Sequence, residues 1–279
     1  MPELISRDET RTRPLVDQSS ATLELIYFDV LKLPSGGSES RRLPQYESLY
    51  VVLSGKVDIE VDGFRFDGVG QRADIWSGDA DSVYVPVGAE VTVTALTDGV
   101  EIAIAGGICE TRYAPFRVSP QEVDAVDVGS PDTHSQRRIA HLLGQRQNGR
   151  CGHLLVSELY AGEGCWSGYP PHKHDTESGD AESHHEELYH YRFLPETGFG
   201  GQIVYEEDGP VKTFMTRSGD TFLLDRGYHP TVTSPGHRSY VFTILVGKHR
   251  RGLVQRFDPK HEHLTQVIPG IDAMRAKFK

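Results

Sequence analysis

YPPHKHD, residues 169–175, sets two histidines one position apart behind a double proline, and thirteen positions after the second comes Glu187 in the run HHEELYHYRF (184–193). Strand side chains alternate between faces, so His172 and His174 point the same way, about 7 Å apart along the chain. Both can therefore reach one cation. Glu187 adds a carboxylate from a neighbouring strand, and His229, in DTFLLDRGYHP (220–230), adds a third imidazole from a strand or turn further on. Three neutral nitrogens and one carboxylate suit a divalent ion of the zinc, manganese, iron, cobalt or nickel group, whereas magnesium or calcium would call for more oxygen. Coordination positions left open for water or substrate would make the site catalytic. The intervening DTESGDAESHHE (175–186) reads as a solvated acidic loop that includes His184 and His185.

The rest of the composition narrows what such a site can serve. With 279 residues and 37% hydrophobic content, the chain can bury the cores of two moderate domains. No apolar run approaches the length of a membrane helix, and the N-terminus MPELISRDETRTRP is charged without an apolar core. A cytoplasmic protein without a signal peptide is expected. Cys109, Cys151 and Cys165 are odd in number and lack CxxC spacing, which argues against disulfides and thiolate ligands. A formal net charge of −11 disfavours nucleic acid or an anionic membrane surface as partner.

Short runs rich in β-branched and aromatic residues, separated by Gly, Asp and Pro, read as strands. They include SLYVVLSGKVDIEVDG (48–63), DSVYVPVGAEVTVTAL (81–96) and EIAIAGGI (101–108), then HLLVSELYA (153–161), EELYHYRF (186–193), GGQIVYEEDG (200–209), DTFLLD (220–225) and SYVFTILVG (239–247). Helix is expected only around HSQRRIAHLLGQ (134–145) and in AMRAKFK (273–279). The two halves also overlay without a gap: DSVYVPVGAE (81–90) falls on DTFLLDRGYH (220–229), placing Gly88 on Gly227 and Glu90 on His229. ESLYVVLSG (47–55) has the character of EELYHYRFL (186–194), with Glu47 near the level of Glu187. All 13 histidines lie between His134 and His263, so only the second half can build a histidine site. An all-β architecture follows, with units at 1–130 and 131–279.

The order of HxH, a strand opening on Glu, and a Gly-Asp strand closing on Gly-Tyr-His resembles the cupin pattern. YPPHKHD, EELYHYR, GF followed by GQ, and GYHP are closer still to the 5-deoxy-glucuronate isomerase family of inositol catabolism, related to the 5-keto-4-deoxyuronate isomerases of pectin breakdown. The first half (YVVLSGKVDIEVDG, VGQRADIW, DSVYVPVGAEVTV) is similar to that family's metal-free N-terminal cupin. The resemblance implies a bicupin of two tandem jelly-roll barrels, with the second holding a metal on His172, His174, Glu187 and His229. Zinc (Zn) is expected first, with Mn, Fe, Co or Ni as alternatives, and a homo-oligomer is expected. Asp225 stands where the second cupin motif has proline, and Tyr189, His190, Tyr191 replace the family's Tyr-Tyr-His order.

The implied reaction converts 5-deoxy-D-glucuronate to 5-dehydro-2-deoxy-D-gluconate, an aldose to ketose change on an open-chain sugar acid. Hydrogen moves between adjacent carbons through an enediol, which needs an electrophile at the carbonyl and a base to shuttle the proton. Strand parity places Tyr191 and Tyr189 on the Glu187 face as candidates for the base, with a metal-bound hydroxide or Glu206 as alternatives. For the substrate carboxylate, Lys173 and Arg192 are the candidate cations near the motifs, although parity turns both away from the metal; Arg226 and Arg238 are further choices. Gln202 matches a glutamine of the family and is assigned to sugar hydroxyls. Trp166 and Phe199 are expected to pack the barrel wall. An iron dioxygenase using the same four residues and a non-catalytic sugar-binding cupin are the competing readings. The sequence lacks the basic or helix-turn-helix segment of a transcription regulator.

Overall fold

A computed structural model of the chain describes residues 1–277, so Phe278 and Lys279, which end the AMRAKFK stretch, lie outside the described residues. The short apolar runs form antiparallel strands in two sheets per half. In the first half, one sheet runs in the order Asp81–Val85, Tyr46–Ser54, Val100–Ile108, Ile26–Leu33, and the other Ser38–Arg42, Glu90–Ala95, Val57–Val61, Phe64–Val69. The second half repeats both orders. Thr221–Leu224, His185–Leu194, Arg238–Gly247 and Leu154–Ala161 make the first sheet, and Trp166–Ser167, Thr231–Thr233, Phe199–Val204 and Lys212–Arg217 the second. Among the described residues no helix is long and apolar enough to cross a membrane.

Pairing fixes the register of the repeat. Ser48 pairs with Val85 and Glu187 with Leu224. The overlay sets Val85 on Leu224, so Ser48 stands at the level of Glu187 and Glu47 at the level of Glu186. The expected match of Glu47 with Glu187 is therefore one residue out, which on a strand means the opposite face. Those two glutamates do a reciprocal job at the seam between the halves. Glu47 accepts hydrogen bonds from the backbone N–H of Gly152 (2.6 Å) and Leu154 (3.0 Å), and Glu186 accepts from Glu24 (3.0 Å) and Leu25 (2.8 Å). Each carboxylate satisfies amides at the start of a main-sheet strand of the other half, Leu154–Ala161 or Ile26–Leu33.

Along His185–Leu194 the faces separate cleanly. Tyr189, Tyr191 and Phe193 join a core with Val204, Phe222 and Leu224 inside the second half. Leu188 packs instead with Ile26, Leu49 and Ala103 of the first half, and the His190 ring lies 5.3 Å from Phe28. The interior of the first half is filled by Tyr50, Val52, Val83, Ile102 and Ile104. Glu90, which the overlay sets on His229, is exposed.

Two expectations are corrected. The stretch 134–145 is not helical: Arg137–Leu143 is a strand between Asp124–Val128 and Leu154–Ala161. Both its faces are buried, which hides the alternation that would have marked it. Strands of the first 130 residues also join the second half's main sheet, where Glu3–Ile5 pairs with Thr221–Leu224 and Asp124–Val128 pairs with Arg137–Leu143. Phe199 is 44% exposed rather than part of the wall, while Trp166 is half-buried against Tyr169. The C-terminal expectation corresponds to a helix at Ile271–Ala276.

Candidate metal centre and its cavity

His172 sits on a two-residue strand, His172–Lys173, paired with Arg256–Phe257, and His174 lies just beyond it. His229 follows a turn at Gly227, whose φ of +91° and close approach to the Tyr205 carbonyl exclude any side chain. Asp175 ties the two segments together by accepting the Gly227 N–H at 2.8 Å. One ring nitrogen from each of His172, His174 and His229 lies within 4.8 Å of the other two, and all three side chains are buried.

Each imidazole is oriented from behind. The Nδ1 of His172 faces the Pro170 carbonyl at 3.0 Å, that of His174 the His185 carbonyl at 3.1 Å, and that of His229 the Gly227 carbonyl at 2.8 Å. A carbonyl only accepts, so each Nδ1 donates and each Nε2 turns inward. The inward atoms meet a carboxylate: Glu187 Oε2 is 2.9 Å from His174 Nε2 and 3.3 Å from His229 Nε2. The His229 Nε2 is buried without a hydrogen bond. Lone pairs this close to a carboxylate oxygen repel unless positive charge lies between them, and ligand atoms about 2.1 Å from one ion stand about 3.0–3.4 Å apart. The donor set thus fits a divalent cation.

Burial works to raise the Glu187 carboxyl, but the two imidazoles that face it, His174 and His229, outweigh burial and hold the group well below the usual carboxylate range. Burial, reinforced by the other two imidazoles, pushes His172 well below its ordinary value. Burial and then the Glu187 carboxylate push the Tyr189 phenol well up.

A cavity of about 60 Å³ opens beside these groups, lined by Arg137, His172, His174, Glu187, Tyr189 and Gln255, with Leu253 and Met274 of the C-terminal segment covering it. Among the expected site residues, Tyr189 joins His172, His174 and Glu187 in lining this space. Tyr191 and Gln202 are bonded to each other, the hydroxyl donating to Gln202 Oε1 at 2.6 Å, and Gln202 Nε2 donates to the His229 carbonyl at 3.0 Å. Both are fully buried behind His229 rather than at the cavity wall. Lys173 does not line the cavity: it pairs with Asp175 (2.6 Å) and Glu182 (3.0 Å). Arg192 lies at the seam, on Glu101 (2.8 Å) and His190 (3.3 Å). Glu206 is on an exposed turn, Arg226 pairs with its neighbour Asp225, and Arg238 lies over Trp76. The acidic loop is partly folded in, since Glu182, Ser183 and His185 are buried.

Sequence reasoning missed Arg137 and Gln255. Arg137 sat in the stretch read as helix. Gln255 lies in a segment without periodicity, and its amide Nε2 approaches His172 Nε2 at 2.9 Å.

Residues 4–264 match the KduI/IolB family. Curated relatives named 5-deoxy-glucuronate isomerase include one from Geobacillus thermodenitrificans, 34% identical over 253 residues and covering 90% of each chain. Another, from Bacillus subtilis, is 29% identical over 90% of this chain and 92% of that one. The crystal structure of an IolB-like protein from Salmonella typhimurium superposes with a TM-score of 0.87 at 28% identity, over 94% of this chain and 98% of the other. Oxalate decarboxylase from Bacillus subtilis shares the bicupin fold alone, at a TM-score of 0.58 and 13% identity over 84% of this chain and 71% of that one. With a match across nearly its whole length, the chain belongs to the KduI/IolB family.

Proposed function

We propose that the protein is a metal-dependent isomerase that interconverts the aldose and ketose forms of a sugar acid, 5-deoxy-D-glucuronate and 5-dehydro-2-deoxy-D-gluconate, in myo-inositol catabolism. The observation that carries this reading is the inward convergence of three imidazoles and Glu187, with His172, His174 and Glu187 lining a cavity. The names of the relatives support the substrate. His172, His174, His229 and Glu187 would hold the ion. A divalent ion there, zinc by donor type, would supply Lewis acidity at the carbonyl and offset the negative charge of the enediolate.

The chain's own groups do the remaining work. Tyr189, two residues beyond Glu187 on the same face, is placed at the cavity to exchange a proton between adjacent carbons. Tyr191 and Gln202 fix the turn that carries His229. Leu253 and Met274 add apolar lining from the C-terminal segment, and the small volume means that the lining moves when a sugar acid enters. A cytoplasmic homo-oligomer completes the proposal, supported by the exposed Val211, Met215 and Phe199 around the Lys212–Arg217 sheet edge.

The test is to incubate metal-loaded protein with 5-deoxy-glucuronate and follow the ketose, with His174→Ala as control. Absence of product from the wild type refutes the substrate, and equal turnover by the variant refutes the metal site. Oxygen uptake by iron-loaded protein would mark a dioxygenase, and sugar binding without turnover a binding protein.

A further inference from the structure

Lys173 and Arg192 are engaged elsewhere, which leaves a sugar acid's carboxylate without either expected partner. The cavity supplies another cation. Arg137 is 3% exposed and lines the same space as His172, Glu187 and Tyr189. Its Nη1 donates to the Ser135 carbonyl at 2.9 Å and its Nη2 to the Tyr169 carbonyl at 2.8 Å. Among the described residues no carboxylate pairs with it. Arg72, buried at the seam, makes the contrast: it has Glu158, with both side chains at most 2% exposed.

We propose that Arg137 binds the carboxylate of the substrate and thereby sets which end of an open-chain sugar acid faces the metal-ligand cluster. Burying a guanidinium without a counter-ion is unfavourable, and the cost is removed when a ligand brings the anion. Two neutral carbonyls do not require a permanent charge, so holding the Ser135 and Tyr169 loops would be within reach of an uncharged donor. Those carbonyls do fix the plane of the fork, which leaves its remaining N–H groups free to take a carboxylate in a two-pronged contact. The Tyr169 carbonyl also belongs to the segment that leads to His172, so the anion site and the first imidazole are set on one short stretch of backbone. Burial pushes the guanidinium down only to about 10, which keeps it charged at neutral pH.

The inference rests on the isomerase reading in taking the ligand to be a sugar acid, and its test separates the two. KM and kcat are measured for 5-deoxy-glucuronate and for its uncharged 6-carboxamide, on metal-loaded wild type, Arg137→Met and Arg137→Lys. Wild type should favour the carboxylate, and Arg137→Met should raise its KM about 100-fold while leaving the amide's KM within about threefold. Arg137→Lys should recover part of the preference, because it keeps the charge and loses the fork. A structural role alone would raise both KM values together. If Arg137→Met retains the preference for the acid, the inference is wrong. Should that variant fail to fold, the lysine variant decides, since an undiminished preference there is equally fatal. A wild type that turns over neither compound refutes the isomerase reading instead.

Discussion

Removing the Tyr191 hydroxyl separates two roles that strand parity cannot. Tyr191 donates to Gln202 at 2.6 Å, and Gln202 holds the His229 carbonyl at 3.0 Å, all in full burial. Tyr191→Phe leaves the Gln202 oxygen without its donor, which costs about 1–3 kcal/mol of stability. Loosening the support behind a ligand imidazole lowers metal affinity about 10-fold. Gln202→Leu removes both contacts and should be worse on each count. In the double variant the penalties should not add, since an apolar pair leaves no orphaned partner on the tyrosine side, giving a coupling energy of about 1–3 kcal/mol. Urea denaturation reads stability and competition with a chelator reads affinity. At saturating metal, kcat for Tyr191→Phe should stay within about tenfold of wild type. A variant with wild-type stability and metal affinity but kcat lower by about 10³ would show Tyr191 moving the proton itself, and the positioning account would be wrong.

Arg72 and Glu158 form a two-pronged buried ion pair (2.6 and 3.0 Å) that joins the first half to the Leu154–Ala161 strand. Arg72→Ala should cost about 3–5 kcal/mol in urea denaturation without changing metal affinity, and a loss below about 1 kcal/mol would contradict the burial argument. Zinc added to chelator-stripped protein at about 100 times its Kd should stabilise the fold by about 3 kcal/mol. His229→Ala should show no such gain, and an equal gain would remove His229 from the ligand set. Burial pushes His141 from an ordinary 6.5 down to about 4. Between those values the unfolded chain binds the extra proton, so this contribution is complete above pH 6.5 and is lost as pH falls toward 4, by about 3 kcal/mol. His141→Gln should flatten that part of the stability profile; an unchanged slope between pH 4 and 6.5 refutes the assignment.

Legibility in the sequence followed the physics of each feature. Alternation and turn residues marked the strands of both halves, and HxH parity with Gly-Tyr-His sufficed to bring His172, His174 and His229 together because short-range geometry aims them. Parity gave Tyr191 its face but not its depth, and depth is what separates a cavity residue from one that ends on Gln202. Charge near a motif was a poor guide, since Lys173 had Asp175 and Glu182 within reach and Arg192 had Glu101. Arg137 was hidden because a strand buried on both faces shows no alternation. Gln255 reaches the cavity through tertiary packing of a segment with no period of its own, and Met274 reaches it from the short C-terminal helix.

The Tyr189, His190, Tyr191 order acquires a reason from the two-sided environment of its strand. The face carrying Glu187 and Tyr189 must present chemistry to the cavity, so the residues between them are free to serve the other side. There Glu186 accepts two amides of the first half, Leu188 enters the shared core, and His190 packs on Phe28 while its Nδ1 meets Thr221 Oγ1 at 3.0 Å. A histidine at position 190 therefore belongs to the seam and adds nothing to the ligand set. In the first half the same levels are held by Ser48, Tyr50 and Val52, with the interior closed by apolar side chains. A barrel so filled has no room for an ion, but its outer face is what the Glu187 strand needs at its back. Changing His190 should accordingly disturb stability before it disturbs metal binding, because its neighbours are Phe28, Thr221 and Arg192 rather than the three imidazoles.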